Sequence, residues 1–179
     1  VYREKNGHIS NATNSALEIA KGEYISLLDN DDTLTEDALY QVVKALNENK
    51  KLELIYSDED KLDLNENLCF PTYKPDWSPD LFSCYNYLCH FTTIKKSVVD
   101  KIKGFRVGYE GAQDYDIFLR VVSNIKDENI HHIPKILYHW RMISGSTAAV
   151  MSNKDYAFER GRKALQDFYD NKKIKCEVG

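Results

Sequence analysis

The hydrophobic and polar positions of the chain follow two periods. Apolar residues recur every three or four positions over residues 9–21, and Gly22 offers a natural stop, which predicts a helix. Residues 23–29 (EYISLLD) and 53–60 (ELIYSDED) are short apolar runs that each end in acids. Runs of this length and composition predict two buried strands.

The same two periods continue to the end of the chain. Thr33 and Glu36 match a capping box, which predicts a helix start at this point. Pro134 interrupts a later strand pattern, so that strand is expected to lie at a sheet edge or to carry a bulge. Strands that alternate with helices predict an α/β domain with a mostly parallel central sheet flanked by helices. Further helices are predicted over 97–105, 114–124 and 153–171, and further strands over 90–97 and 131–141.

Residues 61–90 show no clear period and hold three of the four prolines. This pattern predicts a long loop, and loops of that length are often functional. Trp77 lies in an aromatic and polar stretch, residues 73–91, that overlaps the second half of this loop. Aromatic faces pack in cores, but they also stack on sugar rings while Asp and Asn bind hydroxyls, and both interpretations stay open.

Composition and charge narrow the classes of partner. The chain has 179 residues and a net charge of −4, which predicts one domain and argues against nucleic acid as a partner. The four cysteines form no CxxC pair, which favours reduced thiols in the cytoplasm. No apolar run approaches the ~20 residues that span a bilayer, so membrane association is expected only through segments outside this chain. Because the chain begins at Val1 without a Met, we expect an incomplete domain.

A cluster of acids follows the first strand, in YISLLDNDDTL (residues 24–34). The carboxylates of Asp29, Asp31 and Asp32 repel one another. Such a cluster usually needs a cation or a proton to neutralise it, or it has a role in catalysis. They suit Mg²⁺ or Mn²⁺ with a phosphorylated substrate, or an aspartyl-phosphate phosphatase that uses Asp29 and Asp31. A solvated acidic helix start is the structural alternative. A calcium loop is excluded, because Leu34 and Tyr40 occupy the positions that need Gly and Glu.

Two further segments carry candidate chemistry. In GYEGAQDYDIFLR (residues 108–120), Asp116 is expected to pair with Arg120 four positions later. Asp114 follows a glycine-bearing loop, so its carboxylate is placed to accept a proton from a hydroxyl. His139 in LYHWR lies at a predicted strand end and is either structural or a metal or phosphate contact.

Six motifs in order resemble the family 2 glycosyltransferases with the GT-A fold, in particular bacterial polysaccharide and rhamnosyltransferase-like members. The resemblance covers residues 3–170, and the first part of that domain is absent from this sequence. It implies a single, partial GT-A domain over residues 1–179. The motifs are NGHISNATNSALEIAKGEYISLLDNDDTL, YSDEDK, KPDWSPDL, NYLCHF, GAQDYDIFLR and HIPKILYHWR with the following GSTA (145–148).

The resemblance also implies a function. It implies an inverting, metal-dependent transferase that moves a sugar from a nucleoside-diphosphate donor to a glycan or lipid-linked glycan acceptor in cell-surface polysaccharide synthesis. The location would be cytoplasmic, including the inner face of the membrane, and homo-oligomer formation is left open. The phosphatase and an inactive transferase fragment remain alternatives. By resemblance, the catalytic base is Asp114, Mn²⁺ or Mg²⁺ is bound by Asp31, Asp29 and His139, the donor by Asp32, Asn30 and Arg141, and the acceptor by Trp77, Tyr109 and Gln113.

Overall fold

A computed structural model describes residues 6–142 and 155–179, so the GSTA part of the sixth motif (145–148) and the first two residues of the helix predicted over 153–171 lie outside the described residues. The chain divides into two compact units. We call the first, from residues 1–23, 96–125 and 152–179, the helical unit, and the second, from residues 24–95 and 126–151, the sheet unit. Each is described by itself, and a single domain over the whole chain stays a prediction.

The bounds of the elements agree broadly with the predicted periods. The described part of the helical unit contains α1 (His8–Ile19), α4 (Lys96–Lys101), α5 (Gln113–Val122) and α6 (Asp155–Asn171). That of the sheet unit contains β1 (Tyr24–Ser26), β2 (Thr33–Leu34), α2 (Ala38–Glu48), β3 (Leu54–Leu62), β4 (Leu68–Thr72), α3 (Pro79–Cys84), β5 (Thr92–Lys95), a 3-10 turn (Asp127–Asn129) and β6 (Ile130–Arg141).

The sheet is not mostly parallel in the part of the chain that the structure describes. Its strand order is β1-β5-β3-β6-β2, with β4 paired to β3. Only β3 and β6 pair in parallel, whereas the other four pairings are antiparallel. The prediction fails because β5 lies between β1 and β3 and runs against both, and because β3 and β4 form a hairpin. β1, β3 and β6 nevertheless run in one direction.

Pro134 produces a bulge, as one of the two alternatives predicted. The β3–β6 register steps from Ser57 opposite Ile133 to Asp58 opposite Ile136, so Pro134 is left out of the ladder. A proline cannot donate a ladder hydrogen bond, which is why it lies at this irregularity. The edge alternative is wrong, because β6 has β3 on one side and β2 on the other.

Two local predictions of the sheet unit are also wrong. The capping box does not form, since Thr33 pairs with β6 as part of β2 and α2 begins only at Ala38. Residues 61–90 are not one loop, because they include β4 and α3. The core of this unit joins α2 to the sheet through Ala38, Val42, Ala45, Leu52, Ile55, Phe91, Ile133, Leu137 and Tyr138.

In the helical unit, α5 presents a buried face that includes an acid. Asp116 is 1 % exposed and lies beside Ile117 and Phe118 on this face. Its carboxylate accepts hydrogen bonds from Arg120 at 2.8 Å and from Arg106, which confirms the predicted pairing with Arg120. These ion pairs allow a carboxylate to be buried, and they fix the first turn of α5.

Candidate functional site

The acidic cluster forms a turn between β1 and β2. The backbone N–H of Asp32 donates to the carbonyl of Asp29 at 3.2 Å. From the next residue the chain is paired with β6, with Thr33 opposite His139 and Leu34 opposite Tyr138. The turn therefore lies at the carboxyl ends of the co-directional strands, where open α/β sheets bind their ligands.

Two residues of β6 hold this turn in place. Tyr138 donates its hydroxyl hydrogen to the Asp32 carboxylate and accepts from the backbone N–H of Asp29 at 3.3 Å. The backbone N–H of Arg141 donates to the other oxygen of Asp32 at 2.8 Å, and its Nε donates to the carbonyl of Asp31 at 2.8 Å. Asp32 and Arg141, both predicted to bind the donor, are thus used to shape the turn.

Burial and charge act together on the carboxyl of Asp32. Burial raises its pKa above the usual value, and the negative charges of Asp31 and Asp29 raise it further. The hydrogen bonds from Tyr138 and from the Arg141 backbone oppose this rise. Burial also raises the pKa of the Tyr138 hydroxyl, and the neighbouring carboxylate adds to the effect. This hydroxyl therefore stays protonated and donates.

The other three residues of the turn face solvent to different degrees. Asp29 and Asn30 are exposed and Asp31 is half-buried. Carboxylate oxygens on a turn are ligands suited to Mg²⁺ or Mn²⁺, and a neutral imidazole is a common metal ligand. Within residues 6–142 and 155–179, however, no group of three or more His, Cys, Asp or Glu side chains is assembled to hold a metal. The residue types fit a divalent ion, and the ligand set stays a prediction.

His139 has a partner that was not predicted from the sequence. Its Nδ1 lies 2.5 Å from Oδ1 of Asp60, the residue opposite it in the β3–β6 ladder. Asp60 belongs to a run of three buried acids in β3, together with Asp58 and Glu59. Three acids in an otherwise apolar strand indicate that basic side chains are buried beside them. The sequence did not identify those partners, because they lie far along the chain.

The other two acids of β3 also have basic partners. Asp58 lies 2.8 Å from His132 Nε2, and Glu59 lies 3.7 Å from Lys74 Nζ and bonds to His90. Burial alone would raise the pKa of Glu59, but these hydrogen bonds and the Lys74 charge lower it overall. Burial lowers the pKa of Lys74 in spite of the acids beside it. Glu59, together with Asp58, which accepts from the backbone N–H of Lys74 at 2.8 Å, therefore anchors the segment of residues 73–91 on β3.

Trp77 lies in that segment and packs among aromatic side chains. Its ring centroid is 5.3 Å from that of Phe82 and 6.4 Å from that of Tyr87. Trp77 is half-buried, and its Nε1 is buried without a hydrogen-bond partner among the described residues. The cluster supports the core interpretation for Phe82 and Tyr87, while sugar stacking by Trp77 stays a prediction.

The candidate base and two predicted acceptor contacts belong to the helical unit. Asp114 is half-buried in the first turn of α5, and Gln113 Nε2 donates to its Oδ2 at 3.2 Å. Tyr109 is 5 % exposed, and its hydroxyl bonds to Asp167 at 2.5 Å and accepts from Lys163. The described contacts therefore give Tyr109 a structural role, and its predicted contact with an acceptor gains no support from them.

The sequence also matches a known protein family. The family described as Glycosyl transferase family 2 matches residues 1–103, and the chain belongs to it. The family assignment confirms the resemblance drawn from the motifs. It removes the aspartyl-phosphate phosphatase as an alternative.

The chain is similar to parts of two much longer proteins. The uncharacterized protein y4gI of Sinorhizobium fredii is 47 % identical over 93 % of this chain and 18 % of its own length. The O-antigen biosynthesis protein RfbC of Myxococcus xanthus is 34 % identical over 96 % of this chain and 13 % of its own length. The chain thus spans less than a fifth of these curated relatives.

A solved structure confirms the GT-A fold. Residues 1–349 of TarS from S. aureus, in complex with UDP-GlcNAc, align with a TM-score of 0.67 and 15 % identity. The alignment covers 90 % of this chain and 47 % of that one. Among the described residues of the present chain, no helix is long and apolar enough to cross a bilayer.

Proposed function

We propose that the chain forms part of a metal-dependent, inverting glycosyltransferase. It takes a sugar from a nucleoside-diphosphate donor and transfers it to a glycan acceptor in cell-surface polysaccharide synthesis. The observation that carries this proposal is the turn of Asp29 to Asp32, fixed to β6 beside His139 at the carboxyl ends of three strands. The family 2 glycosyltransferase assignment supports the reaction class, the similarity to the O-antigen biosynthesis protein RfbC supports the type of product, and the UDP-GlcNAc bound to TarS supports the type of donor.

The residues of the turn divide the work of donor binding. Asp29, Asp31 and His139 would hold Mn²⁺ or Mg²⁺, since they offer oxygen and nitrogen ligands. Asp32 and Arg141 keep the turn in shape, and Asn30 is exposed beside them for contact with the donor. When bound, the cation would neutralise charge on the departing nucleoside diphosphate.

Asp114 is the proposed base for the transfer step. It takes the proton of the acceptor hydroxyl while that oxygen attacks the anomeric carbon. The new carbon–oxygen bond forms as the bond to the diphosphate oxygen breaks on the opposite face, which inverts the anomeric configuration. Gln113, bonded to Asp114, and Trp77 are the proposed acceptor contacts.

Calorimetric titration tests this function directly. The full chain is titrated with UDP, GDP and dTDP, each with and without Mn²⁺. We expect one nucleotide to bind only with the metal. We expect Asp31→Ala to abolish that binding, whereas Glu48→Ala, which removes an exposed acid of α2, leaves it unchanged. A folded wild-type chain that binds none of the three, or an Asp31→Ala variant that binds like wild type, would contradict the proposal.

A further inference from the structure

We propose that Asp60 is a positioning residue that fixes the His139 ring with Nε2 available for the metal–diphosphate. The inference rests on the proposed function and assigns a role to an acid in β3 that the motifs left unexplained. Asp60 acts through His139, and it is not itself a ligand in this proposal.

The register of the sheet brings these two side chains together. Asp60 and His139 are direct partners in the parallel β3–β6 ladder, so both project from the same face of the sheet. Oδ1 of Asp60 lies 2.5 Å from Nδ1 of His139, and the side chains are 7 % and 14 % exposed. Such a short contact in a buried setting holds the ring in one orientation.

The contact also selects one form of the imidazole. A carboxylate oxygen accepts, so the hydrogen of this bond lies on Nδ1, and in the neutral ring the lone pair then lies on Nε2. No described residue forms a hydrogen bond with Nε2. His139 is paired with Thr33 of β2, one residue after the acidic turn. Histidines that bind metals usually donate their other N–H to a carboxylate in this way.

A second buried acid–histidine pair on the same two strands, Asp58 with His132, serves as a comparison without a free ring nitrogen. Asp58 lies 2.8 Å from Nε2 of His132, and both side chains are 4 % exposed. Nδ1 of His132 lies 3.2 Å from Asp76, so both of its ring nitrogens have partners. His132 therefore has no nitrogen left for a ligand, in contrast to His139.

The two pairs supply a matched experiment, in which Asp60→Asn is compared with Asp58→Asn. Each variant neutralises a buried carboxylate bonded to a histidine of β6, and each is expected to lower stability. We expect Asp60→Asn to weaken binding of Mn²⁺ alone by about 10- to 100-fold, the usual effect of removing such a partner. Asp58→Asn should leave Mn²⁺ affinity unchanged. Equal losses in the two variants would overturn the inference.

Long-range ¹H–¹⁵N spectra of the histidine rings give a readout that does not depend on activity. Wild-type His139 should carry its hydrogen on Nδ1, and Asp60→Asn should change this form while His132 keeps its own. A wild-type ring with its hydrogen on Nε2 would overturn the inference even if the Asp60 variant fails to fold.

Two further variants separate this inference from the proposed function. If Asp31→Ala abolishes Mn²⁺ binding while His139→Ala leaves it unchanged, the role of Asp60 is wrong and the function stands. If Asp31→Ala also leaves Mn²⁺ binding unchanged, the proposed function itself fails.

Discussion

Tyr138 belongs to an apolar cluster but also holds the acidic turn in place. Its ring belongs to the core of the sheet unit, while its hydroxyl bonds to both ends of the turn, at Asp29 and Asp32. The proposed metal-binding acids thus depend on a core residue for their geometry. Mutations that leave every proposed ligand in place can therefore still weaken donor binding.

Tyr138→Phe tests this dependence. The substitution keeps the ring and removes both hydrogen bonds to the turn. We expect the affinity for nucleotide with Mn²⁺ to fall about tenfold, which corresponds to ~1.4 kcal/mol. Calorimetric titration gives the affinity, and thermal unfolding shows whether the fold is intact.

Tyr56→Phe is the matched control for that substitution. Tyr56 is equally buried in the sheet unit, and its hydroxyl donates to the carbonyl of Pro75 at 2.7 Å. Loss of this bond should cost about 1 kcal/mol of unfolding free energy and leave nucleotide affinity unchanged. Equal affinities for wild type and Tyr138→Phe would show that the turn keeps its shape without the hydroxyl.

Among the elements, β3 is where the sequence was least informative. Its apolar run and acidic end predicted a strand, but not that Asp58, Glu59 and Asp60 are all buried. Each acid finds its base on another element, and His132 and His139 lie more than seventy positions later. Local patterns encode the period of a strand. They do not encode which strand the sheet places beside it. The acidic turn could therefore be predicted from the sequence, whereas the residues of β3 and β6 that support the site could not.

In β6, by contrast, a local rule correctly predicted one feature of the strand, the bulge at Pro134. Pro134 has no backbone N–H to donate, which predicted an irregularity, and the β3–β6 register shifts at that residue. β3 and β6 pair in parallel as predicted, but for the sheet as a whole the direction of most pairings was predicted wrongly, since alternation of strands and helices implies crossovers in one direction only. The antiparallel insertion of β5 depends on the course of residues 73–91, which have no regular period.

The anchoring of residues 73–91 on β3 predicts a pH dependence. The pKa of Glu59 is lowered in the folded chain, so its contribution to stability is present above the unfolded pKa of about 4.3. That contribution is lost as the pH falls through the lower, folded pKa. Glu59→Gln should therefore lower the unfolding free energy at pH 7 by about 2 kcal/mol, and the difference should shrink below pH 4.

Denaturant unfolding of wild type and Glu59→Gln between pH 3 and pH 7 measures this difference. Glu66→Gln is the control, because Glu66 pairs with Arg141 in an exposed position and should change the unfolding free energy little at any pH. A Glu59→Gln difference that grows toward acid pH would show that the pairing with Lys74 and His90 is not favourable.

For the molecule as a whole, the proposed chemistry is divided between the two units. The acidic turn, His139 and its partner Asp60 belong to the sheet unit, whereas Asp114 belongs to the helical unit. Within the helical unit, Asp114 shares the first turn of α5 with Asp116, whose buried pairs with Arg106 and Arg120 fix that turn. Donor binding and proton transfer should therefore be separable by mutation.

Asp114→Asn tests that separation. The amide keeps the shape of the side chain but cannot take a proton from the acceptor hydroxyl, so transfer should fall by about 10²- to 10⁴-fold. Nucleotide binding with Mn²⁺ should stay at the wild-type level, which is the opposite of the pattern expected for Asp31→Ala. Release of nucleoside diphosphate from a sugar donor that carries the nucleotide found by calorimetry, with an added oligosaccharide, measures turnover, and calorimetry measures binding. Wild-type turnover in Asp114→Asn would show that another group removes the proton, because binding through the acidic turn does not require Asp114.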